Sequence, residues 1–184
     1  MQLMRDKMKG SRIELKNIRD QLWRVRARIL TADYHLRKGR TKTAQRLLAE
    51  SIKFVPTKGR QRGADDTYLE IVKRQADMGD FSAAQATARH MSIPLERLDA
   101  FLFIAQKAAS SPDAKIAASA NNMFEDAFKI AKSHKGEIAE SADVLLQISN
   151  AQIEAKQNAR ALTTLQYLRP RLMKSEFEGQ IDRV

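Results

Sequence analysis

Apolar residues recur at alternating three- and four-residue steps along the first third of this chain. Leu15, Ile18, Leu22, Val25, Ile29, Ala32 and Leu36 fall on one stripe of a helix. The phase reaches back to Met8, Met4 and Met1, interrupted around Gly10 and Ser11. One long helix is expected from about Ser11 to about Lys38, roughly 40 Å at 1.5 Å per residue. Gly39 suits its end, because glycine accepts the left-handed conformation that closes a helix.

The same reading continues to the other end. Helices are expected over Thr41 to Phe54, from an Asp65 or Asp66 cap to Met78, and over Phe81 to Met91. Further helices run from Ser92 as cap, with Pro94 in the first turn, to Ala109, then Ala114 to Ser133, Glu137 to Ala155 and Asn158 to Lys174. The 184 residues hold only 7 Gly and 4 Pro, too few for the turns of an all-β fold. The sequence therefore predicts an all-α chain of about eight helices.

Internal repetition arranges these helices in pairs. Gly79-Asp80-Phe81 is followed by Ala84 and Ala88, and Gly39-Arg40-Thr41 by Ala44 and Leu48 at the same offsets, then Ser51 and Pro56. Ala127 follows Phe124-Glu125-Asp126, and Ala161 follows Lys156-Gln157-Asn158. On these residues the chain resembles the tetratricopeptide repeat, in which small residues sit where two antiparallel helices cross. The resemblance covers roughly Val25 to Arg171. The aromatic and Leu-Gly signature of the first helix is missing, the third unit has extra residues around Ser110 to Asn121, and the fourth lacks the turn glycine. The resemblance implies a tetratricopeptide-like α-solenoid whose units stack and share one core. The expected organisation is a basic N-terminal helical extension over residues 1–24, a repeat domain over 25–174 and a frayed tail over 175–184.

Charge is unevenly spread. Residues 1–63 carry 18 Lys and Arg against 5 Asp and Glu, while residues 64–184 carry 15 against 17. Such asymmetry points to an acidic partner for the first third. Arg19, Arg24, Arg26, Arg37 and Arg40 are the candidate contacts, and Trp23 among them adds an aromatic surface that nucleic acid could use. The stripe before Val25 has no repeat partner, so a homodimer through the N-terminal helix is a further reading.

Chemistry finds little foothold. With no Cys, thiolate metal sites, disulfides and Cys nucleophiles are excluded. His35, His90 and His134 form no metal-binding spacing, and His90 and His134 are expected near helix ends, where they complement the carbonyls. No phosphate loop or nucleophile elbow is present. No enzyme activity, metal or cofactor is expected. Nothing in the first ten residues reads as a signal peptide and no stretch reads as a membrane span, so a cytoplasmic protein is expected.

Some tetratricopeptide domains grip a C-terminal carboxylate with Lys, Asn and Arg on successive first helices. The equivalent inner positions here include Arg26, Ile29, Asp33, Leu69, Lys73, Leu146 and Asn150. Only Lys73 and Asn150 suit such a role, which disfavours that clamp but leaves both as groove candidates. The functional expectation is a protein- or peptide-binding adaptor or scaffold with a basic face for an acidic partner. The alternatives are a nucleic-acid-associated protein and a structural component of a larger assembly.

Overall fold

The structure, a computed structural model, describes residues 21–55, 63–133 and 138–168. All regular structure among the described residues is helical. The helices are α1 (Gln21–Arg37), α2 (Thr41–Ile52), α3 (Ala64–Asp77), α4 (Phe81–Ala88), α5 (Pro94–Ala109), α6 (Ala114–Ser133), α7 (Ile138–Glu154) and α8 (158–168). The expected start of α1 near Ser11, the end of α8 near Lys174, the frayed tail, and residues Arg19 and His134 lie outside the described residues. The chain divides into two compact units, Met1–Met91 and Ser92–Val184.

In the first unit α1 pairs with α2 and α3 with α4, and α3 also packs on both α1 and α2. Its core takes Val25, Ile29 and Ala32 from α1, Ala44 and Leu48 from α2, Ile71 and Val72 from α3, and Ala84 and Ala88 from α4, all buried. The later half of the apolar stripe therefore serves this unit's own core. In the second unit α5 pairs with α6, and α7 packs on both. Thr164 on α8 bonds Gln152 on α7, and the Tyr167 ring meets Phe128 on α6 edge-on at 5.4 Å. Lys132 Nζ lies over both rings, 5.4 Å from Phe128 and 5.1 Å from Tyr167. The anchoring alanines Ala44, Ala84, Ala127 and Ala161 are all buried, and a methyl group at such a position permits a closer approach of helix axes than a larger side chain would.

Three of the pairs turn in the same way. Gly39, Gly79 and Lys156 hold φ of 69°, 76° and 58°. The Asp80 N–H donates to the Gln75 carbonyl at 2.9 Å and the Gly79 N–H to Ala76 at 2.9 Å. Arg40 and Gly39 repeat this on His35 and Leu36, and Gln157 and Lys156 on Gln152 and Ile153. These bonds satisfy carbonyls that each first helix leaves open at its end. The missing glycine of the fourth pair has thus not removed the turn; Lys156 adopts the strained conformation instead. The α5–α6 link differs: Asp113 Oδ1 accepts the Lys115 N–H at 2.8 Å, capping α6 from outside.

Two expected caps are corrected. Gly63, with φ of 89°, stands at the start of α3, and Asp65 and Asp66 lie inside its first turn, where carboxylates favour the positive helix end. Ile93, not Ser92, precedes α5 and makes no side-chain cap. Pro94 removes one of the open N–H groups and holds Ile93 extended, which sets the start of the helix.

Candidate functional site

Two surfaces are candidates for function, one in each unit. In the first unit the basic residues of α1 separate by helical geometry. Arg24 and Arg28, four apart, share a face, and Arg26 points away from both. The Arg28 guanidinium lies 4.1 Å from the Phe54 ring centroid. That contact is structural, because the cation covers the aromatic residue that follows α2. Arg24 is half-buried. Arg26 is exposed beside Trp23, 5.7 Å from its ring centroid. Trp23 is 60% exposed and so presents a ring face to solvent. Arg37 ends α1 and Arg40 precedes α2, both exposed.

Lys73 is exposed on α3. Its neighbour Arg74 makes the contact that joins the first helices of the two pairs. Arg74 Nε lies 2.9 Å from Asp33 Oδ1 and its NH2 nitrogen 3.0 Å from Oδ2. This fork geometry fixes orientation as well as charge. Asp33 is thereby occupied, and Ile29 is buried, so neither inner position is open to a ligand. His90 lies just past the end of α4, as expected, and its exposed ring stacks on buried Tyr68, with centroids 5.8 Å apart and rings inclined by 19°.

The second unit contains an open groove of about 320 Å³ between α5 and α7. Asp99, Leu102, Phe103 and Gln106 line it from α5. Gln147, Asn150, Ala151 and Glu154 line it from α7. These positions recur at three- and four-residue steps, so each set falls on one helix face. Leu102 and Ala151 are buried and form the floor with half-buried Phe103. Gln106 Nε2 donates to Glu154 Oε2 at 3.1 Å, linking the two walls. Desolvation by the surrounding wall raises the Asp99 carboxyl pKa above its ordinary value.

Asn150 is the sequence candidate that the groove includes. Asp99, Phe103, Gln106 and Gln147 were missed. The signal that would have found them is the stepwise run on α5, which lies in register with α7. The extra residues around Ser110 to Asn121 hide that register from an alignment on alanines. Among the described residues no cluster of three His, Asp or Glu side chains could hold a metal ion, and no helix is long and apolar enough to cross a membrane. No protein-family model matches the chain, and neither curated proteins nor solved structures give a match.

Proposed function

We propose that the protein is a non-catalytic binding scaffold that holds an extended segment of a partner protein between α5 and α7. The lining of the groove carries this reading. Side-chain amides of Gln106, Gln147 and Asn150 stand above an apolar floor. Each amide donates and accepts, which suits the alternating N–H and C=O groups of an extended main chain, while the floor takes apolar side chains. Asp99 and Glu154 are the ionisable residues of the lining, so the segment is favoured when it carries a cation near its apolar anchor.

A photo-crosslinking side chain at Gln147, in protein made in its own host, identifies the segment, which is then synthesised. Phe103→Ala and Asn150→Arg should each weaken its binding by about tenfold or more, the size of a central interface contact. Unchanged affinity in both variants removes the groove reading.

The basic face of the first unit supports a separate contact with an acidic partner through Arg26, Arg37 and Arg40, and Trp23 beside Arg26 supports nucleic acid as the alternative. Salt separates the two. Phosphate binding falls linearly on a log–log plot, with a slope set by the number of phosphates neutralised. Reversing Arg19, Arg26, Arg37 and Arg40 to Glu should weaken either partner more at low salt than at high. A folded quadruple variant that binds as tightly as wild type at low salt makes this face a solvated surface only.

A further inference from the structure

Among the described residues, the first and last helix pairs each leave uncovered a face that the chain covers elsewhere. On α1, Trp23 and Leu30 are 60% and 65% exposed, and Ala27 and Tyr34 between and beyond them are half-buried. These four lie at steps of four, three and four, on one side of the helix. Aligning Ala84 on Ala44 sets Thr67 on Ala27 and Arg74 on Tyr34. Thr67 is buried, and Arg74 reaches back to Asp33 on α1. That side is therefore the one by which a first helix meets the pair before it.

The opposite kind of face is open on α7 and α8. Aligning Ala161 on Ala44 sets Leu146 on Ile29, Leu162 on Gln45 and Leu165 on Leu48. Ile29 and Leu48 are each 1% exposed in a pair that α3 covers, and Gln45 Nε2 donates to Asp80 Oδ2 of the following pair at 3.4 Å. In the last pair Leu146, Ile153, Leu162 and Leu165 are between 36% and 57% exposed. Four large apolar side chains exposed on two neighbouring helices are the material from which an interface is built.

Charge matches the two faces. On α1, Arg26 and Arg37 are exposed, while Arg28 is held on Phe54 and Asp33 on Arg74. The α7 and α8 helices carry exposed Asp143 and Glu154 against a single exposed cation, Arg160. We propose that the chain associates head to tail with further copies of itself, α1 of one copy seating on α7 and α8 of the next. The contact repeats between molecules what α3 makes on α1 and α2 within one. Such an interface joins two different faces, so each added copy leaves one of each open until the assembly closes into a ring or runs on as a filament.

Sedimentation of the full chain tests this over a concentration series at low and high salt. Wild type should grow beyond the dimer with concentration, and less so at high salt. Trp23→Glu with Leu30→Glu should leave a monomer, as should Leu146→Glu with Leu165→Glu. Mixing the two variants should restore a dimer and nothing larger, because the pair retains one intact face of each kind. That restoration also shows both variants folded. Wild type that stays monomeric at every concentration overturns the proposal, whether other residues of the chain or nothing covers the faces. So does association abolished by the α1 changes but untouched by those on α7 and α8, which is pairing of α1 with α1. A mixture that fails to associate while wild type does and both variants keep their helical signal overturns it as well.

Discussion

The Thr87 hydroxyl donates to the Gln75 side-chain oxygen at 2.8 Å, joining α4 to α3 through a buried hydrogen bond. Thr164 and Gln152 repeat it at 2.9 Å between α8 and α7. In each case the hydroxyl also lies near the carbonyl four residues back, Ala83 at 2.9 Å and Arg160 at 3.1 Å. The first pair has lost this bond: the alignment that sets Ala84 on Ala44 puts His35 at the Gln position and Leu47 at the Thr position. His35 Nδ1 is buried there with no hydrogen-bond partner.

Thr87→Val keeps the shape and strands the Gln75 amide. The expected loss is about 1–3 kcal/mol, the cost of one buried polar group left unsatisfied. Thr164→Val should behave alike. Adding Gln75→Leu to Thr87→Val should recover part of the loss, since both polar partners are then gone. Urea unfolding of the single and double variants measures this, and strictly additive losses would contradict it.

Lys156 holds a left-handed conformation that Gly39 and Gly79 adopt without a Cβ penalty. Lys156→Gly should stabilise the folded chain by about 0.5–1 kcal/mol, the relief of strain less the greater freedom of glycine when unfolded. A higher melting temperature is the expected readout. Gly79→Ala should move it the other way.

Ala84 and Ala127 are buried among packed helices. Replacing either with Phe forces extra volume into a filled core and should cost about 1–3 kcal/mol or more. Unchanged melting would mean that these alanines do not mark close contacts.

Asp99 gives a pH signature. Its carboxyl pKa is raised by desolvation, so the folded state penalises the charge while the unfolded state does not. The penalty is present at neutral pH, falls as pH drops through the folded pKa, and is gone below the ordinary carboxylate value. Asp99→Asn should therefore stabilise slightly at pH 7, with the advantage vanishing in acid. Because Asp99 is well exposed, the gain should be small. Paired denaturation curves at neutral and acid pH check the sign. An advantage that grows in acid would contradict it.

The helices and the buried alanines were legible because apolar spacing and small residues act locally, each residue advertising its own face. Ala44, Ala84, Ala127 and Ala161 are buried where the repeat put them. Gln75 and Gln152 were not legible as core, since a polar residue on an inner face reads as a gap in the stripe until its threonine is found on another helix. Lys156 hid a turn that glycine announces elsewhere. Of the groove only Asn150 was found, because a groove depends on how two helices align, and the Phe103 side of it lay in the one unit whose register the inserted residues obscure. Arg28 looked like its neighbours in sequence, and only its contact with Phe54 separates a packing cation from an accessible one.

Within each unit the substantial helix contacts join neighbours or next neighbours along the chain. Contact order is therefore low, and each new helix closes only a short loop before it gains its partners. Folding should be fast and able to start in either unit, and inside the first unit coupling passes from the α1–α2 pair to the α3–α4 pair through the contacts of α3.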